Sequence, residues 1–332
     1  MDKDLIEILE NAPKNKTIQN ALAKSYEVLH NYHNIQVSVS GGSDSDIMLD
    51  LLIRTGNVNE MSFIFFETGV EYKATKEHLA YLEDRYGIKI KRVLPKKSVV
   101  VSCRQDGIPF WNKMVSMQLY GLQLHGFQFE DEPIEVLEQK YPGCKSYLKW
   151  WCNSYCDGRH SMYNINYISY LKEFLIQNPP DFKISKKCCD YAKKKVFKSF
   201  YRKNKSDLDC TGIRKDEGGV RSLAYKDCFT VEDDGVTVFR PIFWFTEEDK
   251  TEYEDFYDIQ HSRCYTEYGF TRTGCAGCPF NLNWEEDVER IKEFEPSLYK
   301  ACQNLFKKSY DYRTEFEKYR KDLKAKRIKP SC

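Results

Sequence analysis

Short apolar segments alternate with helical segments near the start of this chain, and this alternation is the feature that most constrains its fold. Segments 35–40, 61–66 and 88–94 have the apolar patterns of strands, and the residues between them have helical patterns. Parallel strands need such helical crossovers, which are right-handed in almost all proteins. We therefore predict an α/β fold with a doubly wound, mainly parallel sheet.

The rest of the chain predicts an interruption of that sheet. Residues 104–205 are rich in helix formers, lysine and aromatic side chains, whereas strand character returns at 207–213. We predict N-terminal helices and a nucleotide-binding half over 1–103, and a helical insertion over 104–205 that carries a Cys-Cys pair. The remainder of the α/β core and a helical tail are predicted over 206–332.

Composition restricts the possible classes of protein. The 51 Lys and Arg residues nearly balance the 50 Asp and Glu residues, so net charge gives no evidence on a nucleic-acid partner. No apolar run reaches the roughly 18 residues of a membrane span. The first residues lack the basic start and apolar stretch of a signal peptide. We therefore expect a cytoplasmic protein without a membrane partner, in which 13 cysteines are buried thiols or metal ligands.

The segment SGGSDS lies between the first strand and the following helix. Backbone N–H groups converge at such a turn, and the helix N-terminus adds partial positive charge. Two glycines permit close approach of a phosphate, the serine hydroxyls can donate to it, and Asp44 fits a site where Mg²⁺ bridges carboxylate and polyphosphate. The candidate phosphate-binding residues are Ser40, Gly41, Gly42, Ser43, Asp44 and Ser45.

This loop resembles the SGG-x-DS signature of the PP-loop ATP pyrophosphatases. The resemblance implies an adenine nucleotide alpha hydrolase-like fold, ATP and Mg²⁺ as ligands, and cleavage of ATP between its α and β phosphates to adenylate an acceptor. The Gly-Lys-Ser/Thr of a Walker loop is absent from the sequence.

Downstream segments resemble the phosphoadenosine-phosphosulfate (PAPS) reductase branch of the same superfamily. Glu67-Thr68-Gly69 is similar to its DTG element, with Glu67 in place of Asp. The segment 212–221 is similar to its G-x-R-x-x-E-S-x-x-R motif, with glycine in place of the serine. The resemblance adds Thr68, Gly69, Arg214 and Arg221 as nucleotide-binding candidates. Two arginines suit phosphate or sulfate because each guanidinium group can donate two parallel hydrogen bonds.

Two cysteine pairs form a candidate metal centre. Cys188 and Cys189 are adjacent, and Cys275 and Cys278 lie in a segment that resembles the G-C-x-x-C-P-F element of the branch. Thiolates bind iron–sulfur clusters or zinc, and the resemblance to cluster-bearing reductases implies a [4Fe–4S] cluster. Zinc stays open as an alternative, and Cys264 is a rival ligand. The remaining cluster of cysteines is predicted to consist of buried thiols: Cys144, Cys152 and Cys156.

Two enzymatic functions follow from these motifs. The first is an ATP pyrophosphatase that adenylates a nucleic-acid or nucleotide acceptor for sulfur transfer, with Asp44, Ser45 and Arg214 as catalytic candidates and a sulfur-donor protein as a partner. The second is a sulfonucleotide reductase, but the E-C-G-[IL]-H motif of those enzymes is missing and Cys332 has no His or Glu neighbour. A non-enzymatic nucleotide-binding or cluster-sensing module is a further alternative. The sequence identifies neither the acceptor, the sulfur donor nor the oligomeric state.

Overall fold

The computed structural model describes residues 2–155, 160–217, 225–231 and 235–328, with residues 327 and 328 described by their backbone alone. The strands are β1 (Ile35–Ser38), β2 (Met61–Phe66), β3 (Ile90–Val93), β4 (Leu208–Thr211), β5 (Phe229–Val231) and β6 (Thr237–Phe239). The α-helices are α1 (Lys3–Glu10), α2 (Lys16–Leu29), α3 (Ser43–Thr55), α4 (Lys73–Tyr86), α5 (Val99–Asp106), α6 (Lys113–Leu124), α7 (Ile134–Lys140), α8 (Lys145–Trp151), α9 (Leu171–Gln177), α10 (Lys187–Cys189), α11 (Lys195–Asn204), α12 (Glu247–Tyr257), α13 (Arg263–Thr266), α14 (Trp284–Phe294) and α15 (Pro296–Ile328).

The strands of the described residues form one six-stranded sheet in the order β3-β2-β1-β4-β6-β5. Neighbouring strands pair in parallel, except that β5 is antiparallel to β6. The predicted doubly wound, mainly parallel α/β fold is therefore confirmed. Strand order reverses between β1 and β4, and ligands of open α/β sheets bind at such a reversal, beyond the carboxyl ends of the strands.

The chain divides into two compact units. The first unit comprises residues 1–96 and 192–275, and the second comprises residues 97–191 and 276–332. The first unit contains the sheet, and the second is built from helices. The three-part division predicted from composition stays a proposal.

The core of the first unit lies between the sheet and the helices that follow its strands. Helix α3 contributes buried apolar side chains around its whole circumference, including Ile47, Met48 and Leu51, each 0% exposed. They pack with Val37 of β1 in one buried cluster. This packing fixes the start of α3 directly after β1, so the SGGSDS segment is held on the scaffold rather than on a long loop.

The second unit has an aromatic core of its own. Trp150, Trp151, Phe174 and Phe316 are each no more than 1% exposed and belong to one cluster. Cys144 is also fully buried there, and its burial raises the pKa of its thiol. This confirms the prediction of a buried thiol at Cys144. Cys152 packs against the same cluster in a partly buried position, and Cys156 lies outside the described residues.

No described helix combines the length and the apolar character needed to cross a membrane.

Candidate nucleotide-binding site and thiol cluster

The SGGSDS segment turns from the end of β1 into α3. Gly41 has a φ of +67°, and a Cβ at this position would come within 3.0 Å of Thr75 Cγ2, so both backbone and space favour glycine. Gly42 is the N-cap residue of α3 and brings no capping side chain of its own. The first turn of α3 therefore presents its backbone N–H groups towards the loop, which is the arrangement that binds phosphate groups.

The serine hydroxyls of the loop have partners within the first unit. The Ser40 N–H donates to Ser45 Oγ at 2.9 Å, and the Gly42 N–H donates to Ser40 Oγ at 3.3 Å. Lys250 Nζ donates to Ser43 Oγ at 2.8 Å. Ser45 is buried, so its hydroxyl closes the loop, and its predicted contact with a phosphate stays a prediction.

Two cations meet the carboxylate of Asp44. Arg214 Nε donates to Asp44 Oδ1 at 2.8 Å, and Lys250 Nζ lies 3.4 Å from the same oxygen. Arg214 also donates to Glu247, and its side chain is only 4% exposed. Burial alone would lower the pKa of Arg214, but the hydrogen bond to Glu247 and the charge of Asp44 outweigh it and raise the pKa. The site thus places two basic side chains beside the loop.

The sheet explains why Arg214 reaches Asp44. Strands β1 and β4 are parallel neighbours with Ser38 opposite Thr211, so the segments that follow them leave the sheet side by side. A Cβ on Gly212 would lie 2.8 Å from the backbone oxygen of Asp44. Glycine at position 212 therefore lets the chain after β4 lie directly against the start of α3.

Tyr265 lies over the loop. Its hydroxyl accepts a hydrogen bond from the Ser43 backbone N–H, and it lies 2.9 Å from Thr273 Oγ1. A Cβ on Gly42 would be 3.2 Å from the same hydroxyl. Burial raises the pKa of Tyr265, so this phenol stays protonated near neutral pH. A hydroxyl on the first-turn N–H of α3 occupies a position where a phosphate oxygen can bind.

A buried charge network lies below the loop. Asp46, in the first turn of α3, is fully buried, and its Oδ2 contacts His78 Nε2 and His261 Nδ1, each at 2.9 Å. His261 Nε2 lies 2.7 Å from Glu254 Oε1. Because both partners of His261 are carboxylates, both ring nitrogens donate and the ring is an imidazolium. Burial alone would lower the pKa of His261, but the two hydrogen bonds raise it to about 9.

The turn after β2 is occupied by one of its own side chains. The Thr68 N–H and hydroxyl donate to the Glu71 carboxylate, and the Gly69 N–H donates to the same group at 3.1 Å. These are the groups that the sequence assigned to nucleotide binding. Their direct partner in this structure is Glu71, so a nucleotide contact at Thr68 or Gly69 stays a prediction.

Three of the predicted cysteine ligands lie in the second unit, together with a cysteine that the sequence did not single out. The Cys188 thiol is hydrogen-bonded with the thiols of Cys103 and Cys189. The hydrogen bond with Cys103 raises the pKa of Cys188, and the hydrogen bond with Cys189 lowers it by less. Cys278 interacts electrostatically with Cys188. We call Cys103, Cys188, Cys189 and Cys278 the thiol cluster.

The two remaining cysteine candidates belong to the first unit. Cys275 is its last residue, three positions before Cys278. Cys264 is buried with its Sγ 3.7 Å from Thr75 Oγ1. Among the described residues, no group of three or more His, Cys, Asp or Glu side chains is arranged so that it could hold a metal ion. The donor atoms of the thiol cluster are nevertheless all sulfur, which fits a thiolate-ligated group.

The structure thus brings Arg214 to the predicted loop, whereas Arg221 and Cys332 lie outside the described residues. Sequence reasoning missed Lys250, Tyr265, His78 and His261, as well as Cys103. Their partners are far away along the chain, and His261, for example, is 215 positions from Asp46. No local spacing signals such a pair. The sequence held one signal for Lys250, which lies one turn after the helix start at Thr246. This position places Lys250 at the same end of the sheet as the SGGSDS loop.

Part of the chain matches a known protein family. Residues 34–127 match the family model of the phosphoadenosine phosphosulfate reductase domain. This range includes the SGGSDS loop and the turn at Thr68 and Gly69. Over this range the match confirms the resemblance to PAPS reductases that the motifs implied.

Two relatives come from Methanocaldococcus jannaschii. Uncharacterized protein MJ0973 is 26% identical over 313 residues, which cover 93% of this chain and 56% of that protein. Uncharacterized protein MJ0066 is 22% identical over 274 residues, which cover 82% of this chain and 41% of that protein. The chain therefore spans about half the length of the curated relatives that it matches.

Solved structures give distant likenesses. The PAPS reductase of Candida auris has a TM-score of 0.42 and 12% identity, and the match covers 80% of this chain and 96% of that one. The U34-tRNA thiolase NcsA of Methanococcus maripaludis, solved with its [4Fe-4S] cluster, has a TM-score of 0.39 and 15% identity, and covers 92% of this chain and 81% of that one. Likeness at this level carries no argument about the site.

Proposed function

We propose that this chain, which has a PAPS reductase-like segment and an intact SGG-x-DS loop, is an ATP pyrophosphatase that adenylates an acceptor for sulfur transfer. The observation that carries this proposal is the convergence of Arg214 and Lys250 on Asp44 at the start of α3. A glycine-rich helix start with two cations beside it suits a polyphosphate. An acidic residue between them suits a polyphosphate that arrives with a divalent cation.

The proposed binding mode uses the groups that surround the loop. The backbone N–H groups of the first turn of α3 would receive phosphate oxygens, and Lys250 would move its hydrogen bond from Ser43 to a phosphate. Arg214 Nη1 is buried and has no hydrogen-bond partner among the described residues, at 4.0 Å from Asp216. A buried donor without a partner is costly. A phosphate oxygen would satisfy it.

The proposed reaction has two steps. An acceptor oxygen attacks the α-phosphorus, the bond to the bridging oxygen of the β-phosphate breaks, and pyrophosphate leaves. Sulfur at the oxidation level of sulfide then displaces AMP from the acceptor. Negative charge develops on the leaving pyrophosphate, and fixed cations that are already in place stabilise such charge without reorganisation. Arg214 and Lys250 would have this role.

Two cofactors are implied by the family and would have residues to hold them. Asp44 would hold Mg²⁺, which prefers carboxylate oxygens and supplies further charge neutralisation. The pairs Cys188/Cys189 and Cys275/Cys278 would hold a [4Fe–4S] cluster, which supplies an iron site able to bind sulfur. The acceptor class that we propose is a nucleic acid or nucleotide.

The experiment combines ATP, Mg²⁺, labelled sulfide and candidate acceptors (transfer RNA, duplex DNA or free nucleotides) under anaerobic conditions. We expect sulfur to enter one acceptor class only when ATP is present, with one pyrophosphate released per sulfur. Sulfite release from a sulfonucleotide, with no ATP-dependent labelling, would assign the chain to the reductase class instead. Binding of ATP without turnover for any acceptor would leave a nucleotide-binding module.

A further inference from the structure

Three hydroxyl groups surround one side of Gly42 at the start of α3. A Cβ on Gly42 would lie 3.2 Å from the Tyr265 hydroxyl. The same Cβ would lie 3.3 Å from Ser40 Oγ and 3.5 Å from Thr273 Oγ1. We call these three groups the hydroxyl cradle. The φ of Gly42 is −95°, which any residue adopts, so the backbone does not demand glycine here. A side chain at this position would lie among the hydroxyls, and glycine leaves them accessible.

Buried packing places Tyr265 over the loop. Cys264, the preceding residue in α13, is buried with its Sγ 3.7 Å from Thr75 Oγ1. Thr75 Cγ2 in turn lies 3.0 Å from the position that a Cβ on Gly41 would take. The Phe270 N–H donates to the Cys264 carbonyl at 2.9 Å, so the chain folds back after α13. Helix α13 is therefore held against α4 and the loop.

The hydroxyl cradle can donate hydrogen bonds to a ligand. Thr273 Oγ1 lies 2.9 Å from the Tyr265 hydroxyl, and one of the two donates to the other, so the pair has one further hydroxyl proton. Ser40 Oγ accepts from the Gly42 N–H at 3.3 Å, and its own proton is a second donor. Hydroxyl donors of this kind make strong hydrogen bonds to anionic oxygens.

A buried cation at the same helix start points independently to an anion. Arg214 is 3% exposed, and its Nε donates to Asp44, two residues after Gly42. Arg214 Nη1 is buried and has no hydrogen-bond partner among the described residues, at 4.0 Å from Asp216. A buried donor without a partner is costly. An anionic oxygen at this end of α3 would supply the partner.

We propose that the hydroxyl cradle is a phosphate subsite, in which Tyr265, Thr273 and Ser40 hydrogen-bond phosphate oxygens at the N-terminus of α3. This proposal rests on the proposed function and adds Tyr265 and Thr273 to its binding residues. Both lie outside the segment that matches the PAPS reductase model. The hydroxyls are neutral, so they orient the phosphate, while Arg214 and Lys250 neutralise its charge.

The test measures the affinity of the whole chain for inorganic pyrophosphate with Mg²⁺ by titration calorimetry. We expect Tyr265→Phe and Thr273→Val each to weaken binding by on the order of 10-fold, since each loses a hydrogen bond to a charged group. Thr273→Ser keeps the hydroxyl and should bind like the wild type. Tyr26→Phe is the matched control, because the Tyr26 hydroxyl donates to the exposed Asp2 at 2.8 Å.

Circular dichroism checks that each variant is folded. The comparison of Thr273→Val with Thr273→Ser decides the question if Tyr265→Phe does not fold. Wild-type affinity in a folded Tyr265→Phe or Thr273→Val variant would overturn the proposal. Tighter binding in Tyr265→Phe would also overturn it, because the phenol would then block the loop. Equal losses in Thr273→Val and Thr273→Ser would do the same, because the hydroxyl would not be the group that binds.

The outcome separates the subsite from the proposed function. Loss of pyrophosphate binding in Tyr265→Phe and Thr273→Val, in a chain that cleaves ATP for no acceptor, would support the subsite and remove the proposed function. ATP cleavage by the wild type, with unchanged pyrophosphate affinity in both variants, would overturn the subsite alone. A wild-type chain that binds neither pyrophosphate nor ATP would overturn both.

Discussion

Arg214 Nε lies 2.8 Å from Asp44 Oδ1, although 170 residues separate the two in sequence. The pair joins the loop after β1 to the segment after β4 at the point where strand order reverses. Sheet topology therefore assembles the candidate site from segments that are distant in sequence.

Replacement of Asp44 tests the acidic residue of the loop. Asp44→Ala removes the partner of Arg214 and Lys250 and the proposed Mg²⁺ ligand, and we expect turnover of ATP to fall by on the order of 10²-fold, as for one preorganised electrostatic group. Steady-state pyrophosphate release measures this. Asp255→Ala, in an exposed part of α12, is the control and should keep its activity. Equal activity of both variants would remove Asp44 from the mechanism.

Replacement of Lys250 tests a residue that only the structure revealed. Lys250→Met keeps the length of the side chain but removes the charge that contacts Ser43 and Asp44. We expect weaker ATP binding by on the order of 10-fold, since charged hydrogen bonds contribute about 1.5–3 kcal/mol. Titration calorimetry measures the affinity. Lys24→Met, at a surface pair with Glu27, should bind ATP like the wild type.

Replacement of Gly212 tests the close approach of β4 to the loop. A Cβ at this position meets the Asp44 backbone oxygen at 2.8 Å, so the backbone must shift. We expect Gly212→Ala to lower the free energy of unfolding by about 1–3 kcal/mol, as overpacking does, and to weaken ATP binding. A Cβ on Gly274 meets nothing within 4 Å, so Gly274→Ala is the control for denaturant unfolding. Equal stability of the two variants would contradict the described approach.

The charge network below the loop predicts a pH dependence of stability. The pKa of His261 is about 9 in the folded chain, against 6.5 as its ordinary value. The folded state therefore holds the proton more tightly, and the resulting stabilisation is complete below pH 6.5 and is lost as the pH rises towards 9. Its full size is about 3 kcal/mol by the conversion of pKa shifts.

His261→Gln removes this titration while keeping a polar side chain between Asp46 and Glu254. We expect the difference in unfolding free energy between wild type and variant to shrink from pH 6.5 to pH 9, as measured by urea denaturation at several pH values. A difference that stays constant over this range would show that His261 is not the titrating group.

The sequence predicted what depends on neighbouring residues. The strand and helix patterns gave the parallel sheet, and the glycine pair with its flanking strand gave the loop at the start of α3. The family motif gave Arg214 as a nucleotide-binding candidate, but its contact with Asp44 is seen only in the structure. Lys250 and His261 could not be predicted, because their roles come from side chains more than 200 positions away.

Cys103 escaped prediction for a similar physical reason. A cysteine in an apolar helix has the pattern of a buried thiol, and nothing in its local spacing distinguishes it from Cys144. The difference between them is tertiary: the backbone contact of Ile108 with Lys183 and Ser185 brings α10 alongside α5. The turn at Thr68 and Gly69, which the resemblance gave as a nucleotide-binding candidate, likewise accommodates the carboxylate of Glu71.

Cleavage of ATP between the α and β phosphates is the reaction that we propose for this chain. The most direct measurement incubates the chain with ATP labelled on the α-phosphate, Mg²⁺, sulfide and the acceptor that supports turnover, and identifies the labelled products. We expect labelled AMP and an equal amount of pyrophosphate, with both strongly reduced in Asp44→Ala. Labelled ADP with inorganic phosphate, or intact ATP beside sulfite released from a sulfonucleotide, would contradict it.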